Sequence, residues 1–225
     1  FQALEYITTQ NFDRRAFDAL NCISVIPGAT SAWRRSAVLA VGGYTNDTLT
    51  EDADLTLALH AQGGRIVYVP EARSLTEAPE TVSALARQRF RWMYGTFQCL
   101  RKHSDLYFRG NIGWLGIPNI LVFNILFPLF APIGDLAFLL SIFQGQMTDI
   151  LLWYLLFIYI DLFGSLLAFI LERKPKKMML LILIQRFFYR QFIYIMLYRC
   201  IIAMLRGQRY AWNKIERHGT LLQAA

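Results

Sequence analysis

The chain has 225 residues, 55% of them hydrophobic, and this apolar excess is too concentrated for an ordinary soluble domain along the whole length. Three cysteines, Cys22, Cys99 and Cys200, lie far apart without metal-ligand spacing, which argues against a disulfide framework and suits a reducing compartment. The formal net charge of +7 fits anionic lipid head groups or a phosphate-bearing ligand better than nucleic acid, because the basic residues mostly flank apolar segments.

Taken in order, "FQALEYITTQNFDRRAFDAL" has apolar residues near helical spacing and predicts a helix. "NCISVIPGATSAWRR" reads as an extended run broken at Pro27-Gly28, followed by a second short strand. "SAVLAVGGY" predicts a brief helix ended by Gly42-Gly43, and Glu51 to Gln62 a longer one stopped at Gly63-Gly64. "RIVYVP" is a β-branched strand closed by Pro70, and from Pro79 a helix runs through "ETVSALARQRFRWMYGTFQCLRKH". Alternating helices and strands place residues 1–110 in the α/β class. The chain opens without an initiator Met and without a signal peptide, so it reads as a fragment with an N-terminal portion missing.

Residues 111–207 carry three apolar segments: Ile117–Phe143 with three prolines, Leu151–Leu171, and Met178–Leu205. The second has about the ~20 residues needed to span a bilayer. "ERKPKK", with Arg173, Lys174, Lys176 and Lys177, lies on the cytoplasmic side by the positive-inside rule, and "QGQMTD" outside. This gives a multi-pass plasma-membrane protein whose first part is cytoplasmic, with a basic tail over residues 208–225. Arg186 and Arg190 fall at i, i+4 in the third segment, where a charge facing lipid costs at least about 2.5–3.5 kcal/mol. They are expected to line a hydrated path or to snorkel.

Two stretches carry chemistry. In "TLTEDADLTLALH", Glu51, Asp52 and Asp54 crowd the start of a helix behind Thr50. One reading is capping, with Thr50 as N-cap and acidic residues complementing the helix dipole. The other makes one carboxylate a catalytic base. In "QRFRW", Gln88, Arg91 and Trp92 stand at i, i+3 and i+4 on one helical face. Arg suits phosphate oxygens and Trp offers a plate for a sugar ring, although both are also common at lipid head groups. His60, His103 and His218 form no cluster and read as solvated.

A "PGATSAWRR" loop, then "GGY", "TED" and "QRFRW", followed by apolar segments and "WNKIERHGT", resembles the processive family-2 glycosyltransferases. That family includes cellulose, chitin, hyaluronan and poly-N-acetylglucosamine synthases. The resemblance implies a GT-A-like nucleotide-sugar domain joined to transmembrane helices, and a hexosyltransferase that extends and exports a β-linked polysaccharide. It makes Asp52 the general base, with Thr50 and Glu51 shaping its turn. Gln88 and Arg91 would hold the donor diphosphate, and Trp92, Gly28 and Ala29 would contact the acceptor. Asp54 is left as a capping or surface carboxylate. The donor is expected to be a UDP-sugar, UDP-N-acetylglucosamine before UDP-glucose, and the other partners the nascent polysaccharide and the bilayer. A divalent metal, Mg2+ or Mn2+, is expected on a D-x-D motif upstream of this chain, without which the chain alone should be inactive. The rivals are a lipid-linked monosaccharide transferase, which generally lacks the Q-x-x-R-W helix, and a non-catalytic channel or scaffold subunit.

Overall fold

The structure is a computed structural model that describes residues 2–72, 74, 76–144, 147–172, 180–208 and 210. The residues group into two units, Phe1–Ala16 with Leu121–Ile195, and Phe17–Ile120 with Met196–Ala225.

In the first unit, α1 (Gln2–Glu5), a π-type turn (Tyr6–Asn11) and the start of α2 (Phe12–Ala19) form one helical run. Its Leu4, Ile7 and Phe12 pack on Leu162, Ala168 and Phe169 of α8 (Met147–Leu171) and on Leu181 and Ile182 of α9 (Leu180–Phe187). Polar links seal this packing: Tyr189 donates to Glu5 at 2.7 Å, and Arg15 pairs with Glu172 at 2.9 Å. The first 16 residues therefore belong with the apolar helices, across the division expected at residue 110.

Among the described residues two helical runs are long and apolar enough to cross a membrane, Ile112–Gln144 and Leu151–Leu171. The first ends in α7 (Phe127–Gln144) after α6 (Ile117–Asn119) and two π-type turns, Ile112–Gly116 and Ile120–Leu126. Those wider turns sit beside Pro118 and Pro128, where a regular α-helical ladder would lose a donor. Many apolar side chains of α7 and α8 are exposed, Leu136, Phe143, Leu152 and Trp153 among them.

The third expected segment is not one helix. It divides at Phe188 into α9 and α10 (Tyr189–Leu205). Arg190 of α10 approaches Asp135 of α7 at 3.7 Å and lies over the rings of Phe157 and Tyr194, while Gln191 donates to Asp135 at 2.9 Å. Met178 and the other residues of 173–179, the Arg186 side chain, Gly145, Gln146 and residues 211–225 lie outside the described residues.

The second unit holds α3 (Arg35–Ala40), α4 (Glu51–Ala61) and α5 (Val82–Lys102), joined by extended segments. Gly42 and Gly43, at φ 83° and 81°, end the α3 region as their freedom from a Cβ allows. Thr81 caps α5 by accepting from the Ala84 amide at 3.1 Å, so that helix begins three residues after Pro79. Ile23, Leu55, Leu59 and Ile66 form one core, joined by Phe17, Trp33 and Tyr68. Leu49, Tyr94, Cys200 and Ala203 form another.

The expected strands correct the α/β assignment, because among the described residues no strand pairs into a sheet. The extended segment at 22–28 is instead hydrogen-bonded by side chains of α4. His60 Nε2 donates to the Ile23 carbonyl at 2.9 Å, Thr56 Oγ1 accepts from the Ile26 amide at 3.2 Å, and Asp52 Oδ2 accepts from the Gly28 amide at 3.1 Å. These three residues are spaced by four, on one stripe of the helix. Backbone groups of the second extended segment meet Asn21, whose side chain accepts from the Ile66 amide at 3.1 Å and donates to the Gly64 carbonyl at 3.4 Å.

Candidate active site

The acidic turn opens α4, and each of its residues is placed by a different neighbour. Thr50 does not cap with its side chain. Gly95 of α5 comes so close that a Cβ there would lie 2.5 Å from Thr50 Oγ1 and 2.9 Å from the Thr50 amide nitrogen. The buried Thr50 hydroxyl turns to Cys99 Sγ at 3.4 Å. Burial pushes the Cys99 thiol up to about 11, so it stays protonated there and also donates to the Thr50 carbonyl.

Asp52 is half-buried at the open edge of the turn. Its Oδ1 accepts from the Ala53 amide at 2.8 Å, while Oδ2 takes the Gly28 amide. Thr56 braces this pairing from below: its hydroxyl donates to the Asp52 carbonyl at 2.7 Å while accepting from Ile26. Gly28 and Ala29 are exposed, and the Ala29 carbonyl accepts from Ser74 at 3.2 Å. The structure thus brings Asp52 and the Pro27-Gly28 loop together, leaving a carboxylate fixed in orientation beside an open loop. Glu51 is half-buried in the same turn.

Asp54 departs from the capping or surface role expected for it. It is 3% exposed. Oδ1 meets His103 Nε2 at 2.7 Å, and Oδ2 accepts from Lys102 Nζ at 2.9 Å and from Thr45 Oγ1 at 2.6 Å. Burial alone would raise its pKa; the hydrogen bonds from His103, Thr45 and Lys102 outweigh that and hold the carboxyl well below the usual range. His60 and His103 are likewise buried. His218 lies outside the described residues.

On α5, Gln88 is buried and Arg91 and Trp92 are half-buried. The Arg89 guanidinium stacks over the Trp92 ring at 4.6 Å, so Arg89 sets the attitude of that indole. One stripe of this helix carries Gln88, Arg91 or Trp92, Gly95, Gln98 or Cys99, and Lys102, repeating every three or four residues. Its later half grips the acidic turn: Gly95 and Cys99 at Thr50, Gln98 accepting from the Leu49 amide at 2.8 Å, and Lys102 at Asp54. Gly95, Gln98, Cys99 and Lys102 were not among the site residues expected from the sequence. Extending the stripe of Gln88 by two more turns would have found them.

Among the described residues no group of three or more His, Cys, Asp or Glu could hold a metal ion. Asp52 and Asp54 do not fit one either, since Asp54 is already occupied by an ammonium, an imidazole and a hydroxyl.

The family described as glycosyl transferase family group 2 matches residues 1–206. A poly-beta-1,6-N-acetyl-D-glucosamine synthase of Staphylococcus aureus (strain COL) is 33% identical over 99 residues, 44% of this chain and 24% of the relative. A probable glucomannan 4-beta-mannosyltransferase 7 of Oryza sativa subsp. japonica is 36% identical over 75 residues, 33% of this chain and 13% of the relative. The chain thus spans about a quarter or less of the length of these curated relatives. No solved structure matches it significantly.

Proposed function

The chain belongs to glycosyl transferase family group 2, a family of hexosyltransferases, and from that premise we propose that it is the acceptor-side part of a membrane-embedded polysaccharide synthase. The donor is a UDP-sugar, UDP-N-acetylglucosamine in the first instance, and the product a β-linked polymer passed across the membrane as it grows. The Staphylococcus relative's name supports the N-acetylglucosamine choice; the rice relative's name, with mannose, is the reason to screen donors.

The observation that carries the reading is the Asp52 carboxylate held on the Gly28 amide at the mouth of an exposed loop. Transfer with inversion needs a base to take the proton of an acceptor hydroxyl as its oxygen attacks the anomeric carbon. Asp52 Oδ2 is oriented for that task. The C–O bond to the diphosphate breaks on the opposite face, and the departing negative charge needs donors. Gln88 and Arg91 supply an amide and a guanidinium, respectively two turns and one turn before the Gly95 contact that seats α5 on the base's own turn. Trp92, braced on one face by Arg89, offers its other ring face to the acceptor sugar. The family commonly uses a divalent cation, Mg2+ or Mn2+, to neutralise the diphosphate. Among the described residues no acidic group makes a site for it, and no step above runs through one.

Membranes from cells expressing the full-length synthase that carries this chain, incubated with labelled UDP-N-acetylglucosamine, should yield a glycosidase-sensitive polymer. Asp52→Asn should abolish it and leave UDP binding within about twofold. Polymer made by Asp52→Asn above a few per cent of the parent removes Asp52 as the base; label found only on lipid-linked monosaccharide replaces polymerisation with lipid-linked transfer.

A further inference from the structure

Asp54 takes no part in the chemistry proposed above, yet it is more enclosed than Asp52 and held by more partners. Those partners come from two other segments. Lys102 and His103 stand at the end of α5, and Thr45 follows the Gly42-Gly43 turn. Lys102 Nζ also reaches Asp47 Oδ1 at 2.8 Å and Thr45 Oγ1 at 2.9 Å, tying that loop into the same cluster.

We infer that Asp54, Lys102 and His103 form a latch that sets the position of the Asp52 carboxylate, and are positioning residues for the transfer step. The inference rests on Asp52 as the base. Three considerations support it. Asp52 and Asp54 are two residues apart in the first helical turn, so their side chains leave α4 on nearly opposite sides. One side carries Asp52 with the Gly28 loop; the other is clamped by Asp54.

A planar carboxylate held through both oxygens by donors from two segments also fixes angle as well as distance, which apolar packing does not. Finally, removing a carboxylate from water is costly, and an apolar residue could fill the space with no such cost. What the charged cluster adds is geometric definition of the turn.

The test uses the protein in membranes, with Asp54→Asn, Lys102→Met and Lys102→Arg beside Asp52→Asn. Readouts are kcat and donor KM for polymer formation, UDP affinity and the thermal midpoint. Asp54→Asn should lower kcat roughly 10- to 100-fold, as expected for a base displaced by about 1 Å, with donor KM and UDP affinity within about twofold. Lys102→Met should lower kcat in the same way, and Lys102→Arg should recover most of that loss.

If the Asp54 variant does not accumulate folded, the Lys102 pair carries the test, since that side chain is 30% exposed. Loss of kcat in step with a rise in KM and a fall in thermal midpoint makes the cluster merely structural and overturns the latch. So does a fully active Asp54→Asn alongside an inactive Asp52→Asn. Parental activity in Asp52→Asn itself strikes the base assignment instead.

Discussion

Gly95→Ala places one methyl group where α5 meets the acidic turn. The new Cβ would lie 2.5 Å from Thr50 Oγ1, 2.6 Å from Cγ2 and 2.9 Å from the backbone nitrogen. Rotation of Thr50 relieves the first two contacts but not the third. Carbon contacts are comfortable at about 3.5–4.0 Å, so the start of α4 must retreat by roughly 0.5–1 Å. Overpacking of this kind costs about 1–3 kcal/mol, and alanine returns about 1 kcal/mol of helix propensity. The net loss of stability is therefore about 0–2 kcal/mol.

Activity should suffer more than stability, because a ~1 Å misplacement of a catalytic group can cost about 100-fold. Polymer formation in membranes, normalised to folded protein, measures the first; thermal unfolding in detergent measures the second. Gly134→Ala is the control, with no heavy atom within 4 Å of its new Cβ, and should leave both unchanged. A Gly95→Ala protein that keeps more than about half of the parental rate would refute the reasoning.

Three further outcomes follow from other contacts. Arg91→Ala should weaken binding of both UDP and UDP-sugar by calorimetry, whereas Trp92→Ala should impair elongation more than donor hydrolysis; unchanged UDP affinity in the first removes Arg91 from the diphosphate. Burial pushes the His60 pKa down from its ordinary value of about 6.5, so the unfolded chain binds the proton first and stability falls as pH drops below that value. His60→Asn should flatten the loss of thermal midpoint between pH 7 and pH 5; an unaltered slope would assign it to other groups. Asp135→Leu and Arg190→Leu should each lower the thermal midpoint by leaving one charge among apolar helices, at up to about 3 kcal/mol, and the double variant should recover part of the loss. Additive losses would show that the pair is not coupled.

Helices α4 and α5 were legible because their signals are local: an acidic first turn, stop glycines, and Pro79 close to the start of α5. Extended segments were legible as extended but not in their pairing. "RIVYVP" carries the β-branched pattern of a strand, and only its neighbours decide where its amides go; Ile66 gives its own to Asn21. The family, too, was readable from the order of "PGAT", "TED" and "QRFRW". Asp54 was misread for a physical reason. Spacing along a helix says which side a carboxylate leaves, but its burial depends on Lys102 and His103, nearly 50 positions away and on another helix. The same holds for His60, whose partner is a backbone carbonyl that no composition rule marks.

The stripe of Asp52, Thr56 and His60 gives α4 a phase as well as a length. Each residue advances an α-helix by about 100°, so one residue inserted between Asp52 and His60 would swing the later rungs a quarter-turn or more away from the segment they hold. An insertion before Thr56 would cost the Ile23 and Ile26 backbone groups their partners together, and Asp52 would be the one rung of the stripe still holding the extended segment. An insertion within residues 67–69, outside any helix, changes no such phase. Tolerance to a change of one residue in chain length should therefore drop sharply inside those nine positions and recover beyond Ile66, past the last amide that Asn21 holds.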